Sequence, residues 1–136
     1  LSHVVELDFA PLSRELIRKN RVHQIDVIWL DAQRIPKALF EVEDSTAVET
    51  CIPRLANLKT LLPHLAIPVF VIVRDRWSEK VQREFASPSG QTLLGRRKQD
   101  WHFMTFSEFL RLTDQVLEFP VPVSVDDLCV AAQKVA

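Results

Sequence analysis

Three carboxylates in one short stretch, Asp26, Glu41 and Glu43, have the residue types and spacing to do chemistry. Asp26 lies between Ile25 and Val27 in an otherwise apolar run, and Glu41 and Glu43 flank Val42 in the next one. Taking a carboxylate out of water is costly, so acids set among apolar residues need a positive partner. Three of them on neighbouring strands repel one another unless a cation stands between, and a hard divalent ion with oxygen ligands is the natural one. The same residues allow a plainer arrangement. Glu41 and Glu43 could line the wet face of a half-exposed strand, with Asp26 capping a turn or pairing with Arg21 or Arg34. Spacing alone leaves both open.

The elements around these acids follow from periodicity. His23–Leu30 is rich in β-branched and aromatic residues and reads as a strand, followed by a turn at Asp31–Arg34. Lys37–Glu43 reads as a second strand, with Phe40 and Val42 on one face and Glu41 and Glu43 on the other. The two predict a hairpin. Thr46 and Glu49 have capping-box spacing, although Pro53 either kinks that helix or opens a second one; Leu55, Leu58, Leu61 and Leu62 give the apolar stripe. Ile67–Val73 is a continuous apolar run, which predicts a strand buried on both faces in mid-sheet. A polar amphipathic helix over Asp75–Phe85 follows, then a strand over Trp101–Thr105. A helix capped by Thr105 and Glu108 runs through Leu112, and one capped by Ser124 covers Asp126–Lys134. Glu118–Val123 reads as an extended connection. The order predicts an α/β fold, a mixed central sheet flanked by helices.

Composition narrows the function classes. With 136 residues the chain is expected to form one domain, and 47% apolar and 26% charged residues are ordinary for a globular protein. Its two glycines cannot supply a Gly-rich phosphate loop, which removes the P-loop and Rossmann fingerprints. A net charge of −1 gives no global field for nucleic acid, but Arg14, Arg18, Lys19 and Arg21 form one local basic patch and Arg96, Arg97 and Lys98 another. Either could equally be a solvated face. Cys51 and Cys129 follow no metal spacing and read as small buried residues in a reducing compartment, and the four histidines are scattered. Trp29, Trp77 and Trp101 read as core residues. There is no signal-peptide pattern and no run approaching the ~20 residues of a spanning helix, so the expected location is cytoplasmic. The start on Leu1 suggests a fragment of a longer protein, the C-terminal catalytic part.

Gln24-Ile-Asp26-Val-Ile-Trp29, followed by Phe40-Glu-Val-Glu-Asp-Ser-Thr46, resembles the hairpin of the PD-(D/E)xK, or restriction-endonuclease-like, nucleases. The resemblance covers roughly residues 20 to 105. It departs at one point: Glu43 stands where the family usually has lysine, an arrangement shared with the restriction enzyme BamHI. The resemblance implies a restriction-endonuclease-like core and a Mg²⁺-dependent endodeoxyribonuclease of restriction or repair type, with Mn²⁺ as substitute. It implies Asp26, Glu41 and the Val42 carbonyl as metal ligands, with Glu43 orienting or deprotonating the attacking water. Arg54, Ser45 and Gln24 are expected to contact DNA, although capping and pairing with Glu49 or Glu43 are alternative roles for this set. Glu15 could supply a further acid from a preceding helix. A homodimer and an upstream specificity domain are further expectations. The rival reading is a non-catalytic nucleic-acid-binding or assembly module that keeps the fold.

Overall fold

The computed structural model describes residues 12–43, 48–118 and 124–134. In chain order its elements are α1 (Arg14–Lys19), β1 (Val27–Leu30), β2 (Pro36–Glu43), α2 (Val48–Leu61), β3 (Val69–Val73), α3 (Ser78–Ala86) and α4 (Pro88–Leu94). Then come β4 (Trp101–Thr105), α5 (Phe106–Glu118), α6 (Val125–Ala131) and β5 (Gln133–Lys134). The strands form one mixed sheet in the order β1-β2-β3-β4-β5. β1 and β2 are an antiparallel hairpin, β2, β3 and β4 run parallel, and β5 returns antiparallel along β4. This is the α/β architecture, a mixed sheet between helices, that the sequence predicts.

The hairpin turn is built by Asp31, whose Oδ1 accepts the N–H groups of Gln33 and Ile35, both at 2.9 Å. An aspartate that binds backbone amides just ahead of it mimics a backbone turn. Arg34 completes the reversal with φ of 63°. From there the period-two alternation of β2 assigns its side chains. Leu39, Glu41 and Glu43 face one layer, and Ala38, Phe40 and Val42 face the other. The first layer packs Val69, Val71 and Val73 against Ile52, Leu55 and Leu58 of α2 and Val81 and Phe85 of α3. The second packs Phe40, Phe70, Ile72 and Met104 beneath Phe106, Phe109 and Leu112 of α5 and Leu128 of α6. All five residues of β3 are buried, as a central strand between two helical layers requires.

Several boundaries differ from the sequence reading. The expected strand from His23 begins only at Val27, because Arg21 turns into the left-handed region (φ 56°) and Val22–Gln24 closes a 3₁₀ turn. Asp26 thus leads into the strand rather than lying inside it. Trp29, expected in the core, is 39% exposed because β1 is an edge strand; its ring covers Phe40 at 4.7 Å. Trp101 is buried as expected, and Trp77 packs partly buried against the first layer. α2 neither stops nor starts at Pro53 but contains it. α4 was not foreseen: Ser87 caps it from its side chain onto Gly90 N, and Pro88 occupies its first turn. α5 runs past Leu112 to Glu118, while α6 stops at Ala131 so that Gln133 and Lys134 can pair with β4. Thr46, expected as a cap, lies outside the described residues, as do the side chain of Cys51 and the Phe119–Val123 part of the expected connection. Cys129 is partly buried against the second layer. Among the described residues no helix is long and apolar enough to cross a membrane.

Candidate functional site

The acids are brought together by the end of the hairpin ladder. Val27 pairs with Phe40, so one step beyond it β1 has ended and β2 continues alone on that side. The carboxylate of Asp26 takes over from the missing strand: its Oδ2 accepts the N–H of Val42 at 2.8 Å. Glu41 and Glu43 project from β2 on the face covered by α2. They are not on a wet face: Glu41 has no exposed surface and Glu43 is 9% exposed. Arg54 reaches them from α2. Its Nε donates to Glu41 Oε1 at 3.1 Å and its Nη2 to Glu41 Oε2 at 3.0 Å. The same Nη2 stands 3.8 Å from Glu43 Oε1.

Glu41 and Glu43 therefore share one guanidinium, and the proton affinities of both are raised. Burial pushes Glu41 up to about 7; the hydrogen bonds from Arg54 oppose it, and both the charge and the hydrogen bonding of Asp26 add to it. Glu43 is also raised, first by burial, against the pull of the Arg54 charge and with the push of Asp26. Asp26 is felt by both glutamates, so the three groups form one electrostatic unit. The arrangement holds a surplus of negative charge beside an exposed carboxylate and a sealed one.

The other expected site residues are less gathered. Gln24 is exposed in the 3₁₀ turn two residues before Asp26. Ser45 lies outside the described residues. Glu15 is exposed in the first turn of α1, where it complements the helix dipole. Arg54 was read as a partner of Glu43, Glu49 or DNA. Its main partner is Glu41, which its position one helical layer above β2 could have signalled. In the second basic patch, Arg97 is engaged with Asp100 (Nε to Oδ2, 2.7 Å). Asp100 also receives Lys59 Nζ at 2.5 Å, an ion cluster the sequence reading did not foresee.

Among the described residues no group of three His, Cys, Asp or Glu side chains stands arranged to hold a metal ion. The donor set nevertheless has the right chemistry. All its atoms are oxygens, two of its carboxylates are held above their usual proton affinity by burial and by a third, and added positive charge would relieve those two. Asp26, Glu41 and the Val42 carbonyl are the residues that would hold such an ion, with the carboxylate of Glu41 exchanging its guanidinium partner for it.

Residues 5–117 match the family model described as the Type II restriction enzyme NmeDI C-terminal domain. No curated protein and no solved structure matches the chain.

Proposed function

The chain belongs to the Type II restriction enzyme NmeDI C-terminal domain family, and from that premise we propose that it hydrolyses DNA phosphodiester bonds with a divalent cation, as a PD-(D/E)xK-type endonuclease. The observation that supports the reading is the gathering of Glu41 and Glu43 around Arg54, with Asp26 acting on both and the sealed Glu41 pushed up to about 7. A structural ion pair needs one acid; here two meet one guanidinium and the charge of Asp26 acts on both. Asp26 and Glu41, with the Val42 carbonyl, would hold Mg²⁺, for which Mn²⁺ substitutes. When bound, the ion would acidify the attacking water and neutralise charge developing on the phosphate.

The chain's own groups have distinct tasks. Glu43 takes the water's proton as its oxygen bonds to phosphorus and the bond from phosphorus to the leaving 3′-oxygen breaks. Its raised proton affinity suits a base better than an ordinary surface glutamate would. Asp26, tied to the Val42 amide, fixes the edge of the hairpin where the phosphate would lie. Gln24 and Arg54 would meet the DNA backbone beside it, and Ser45 follows the motif in sequence. A dimer would allow the two strands of a duplex to be cut by two copies, and sequence specificity would come from a further domain.

One observation favours the rival reading of a non-catalytic DNA-binding or assembly module: the two-point Arg54–Glu41 contact satisfies the buried acid without any ion. Cleavage of duplex DNA separates the two. With Mg²⁺, Asp26→Ala and Glu41→Ala are each expected to cut at least about 10²-fold more slowly than wild type, with duplex binding retained. Full cleavage by either variant would place the chemistry elsewhere. Duplex binding by the wild type without any cleavage would favour the module.

A further inference from the structure

Arg54 holds the very atoms that Glu41 would offer to a cation. Both carboxylate oxygens are bound by the guanidinium, at 3.1 and 3.0 Å, and Glu43 lies 3.8 Å from one of the same nitrogens. The two partners differ in access: a quarter of the Arg54 side chain (25%) is exposed, whereas that of Glu41 has no exposed surface. The Arg54 side chain is thus partly open to solvent, and the carboxylate it holds is not. A planar fork of N–H donors suits phosphate as well as carboxylate, so an incoming DNA backbone can compete for it without loss of charge-assisted hydrogen bonds.

We propose that Arg54 is a latch on Glu41: its guanidinium occupies the carboxylate until a DNA phosphate draws it away, so that cation binding and duplex binding are coupled. With the latch closed, both oxygens of Glu41 are engaged and an added positive charge faces any incoming dication. With it open, Asp26, Glu41 and Glu43 remain as three oxygen donors with their counter-ion removed. Arg54 is in this sense a positioning residue, acting through Glu41 rather than on the scissile bond. The coupling must be reciprocal, because a ligand that raises the affinity for a second is itself bound more tightly by the same factor. The inference rests on the metal-dependent reading above and deepens it: a copy of the chain away from DNA would hold its ion more weakly.

Calorimetric titration of the full chain with Ca²⁺, alone and with a short duplex, tests the latch without any cleavage readout. For the wild type the duplex is expected to tighten Ca²⁺ binding about tenfold or more, within the usual span of such couplings. Arg54→Gln should bind Ca²⁺ about tenfold more tightly than wild type in the absence of duplex, and gain little more when duplex is added. Arg54→Lys keeps the charge but loses the fork, and is expected to lie between them; it also serves if the glutamine variant fails to fold. If both variants bind Ca²⁺ no more tightly than wild type, while Asp26→Ala abolishes binding, the metal site stands and the latch is overturned. If wild type and variants bind no Ca²⁺ with or without duplex, the metal-dependent reading falls and the latch falls with it. Failure of both variants to fold would make Arg54 a fixed structural counter-ion, which also overturns it.

Discussion

Two buried ion clusters lie at opposite ends of the parallel strands, and α2 supplies a cation to each. Arg54 meets Glu41 and Glu43 toward the end of β2, and Lys59, further along the same helix, meets Asp100 just before β4 begins. Their charge balances are opposite. At the second cluster one carboxylate has two cations, Lys59 at 2.5 Å and Arg97 at 2.7 Å, and Lys59 also donates to the carbonyl of Ile67 at 2.9 Å. Burial pushes Asp100 up, but its bonds to Arg97 and Lys59 outweigh it and hold it below the ordinary range. At the first cluster burial wins, because one guanidinium serves two buried acids and the charge of Asp26 opposes it at both. Burial with surplus positive partners builds a strut; burial with surplus acids stores a demand for charge.

The largest effect that would sharpen this contrast is the loss of the strut. Asp100→Ala leaves Lys59, whose side chain is 10% exposed, without its carboxylate. Breaking a buried pair from one side costs about 3–5 kcal/mol, a fall in melting temperature of roughly ten degrees or more. Glu41→Gln should be nearly neutral in the same thermal unfolding experiment. Equal destabilisation by the two substitutions would erase the distinction between the clusters.

A somewhat smaller effect appears with pH. Glu41 titrates at about 7 in the folded chain against 4.5 as its ordinary value, so the folded state holds its proton more tightly than the unfolded one. Stability from this group is fully present below pH 4.5 and is lost as pH rises through 7, by about 3 kcal/mol in all. Glu43, also raised, acts in the same direction. Denaturant unfolding between pH 4.5 and 8 should show the decline in wild type and a much flatter profile in Glu41→Gln. A profile unchanged by that substitution would mean that another group sets it.

The smallest effect concerns Arg97. Its side chain is 39% exposed, and solvent screens its contact with Asp100. Arg97→Ala should lower the melting temperature only slightly, since Lys59 still meets the acid. A loss approaching that of Asp100→Ala would show that both cations are needed.

The sheet was largely legible because periodicity survives folding. The alternation in Lys37–Glu43 placed Glu41 and Glu43 on one face, and the unbroken run ending at Val73 placed β3 in mid-sheet. What the pattern could not supply was which elements lie above which face. Nothing in the spacing of Glu41 shows that α2 seals it, or that Arg54 rather than water meets its oxygens. Asp26 was read inside a strand because Ile25, Val27 and Ile28 look alike to a propensity argument, whereas the backbone at Arg21 decides where the ladder begins. Trp29 misled for a related reason: residue type suggests burial, but edge or centre is a property of strand order. α4 carried a Ser-Pro start signal at residues 87 and 88 but too short an apolar stripe to be noticed.

Val42 joins the two sides of this sheet in a single residue. Its amide is held by Asp26 among the acids, while its side chain, 46% exposed, lines an apolar groove of about 280 Å³ on the opposite face with Val27, Trp29, Phe40 and Leu128. Alternation along the strand sends its side chain to one face while its in-plane amide meets the acid at the strand edge. A substitution at Val42 is therefore expected to touch the groove and the acid cluster together.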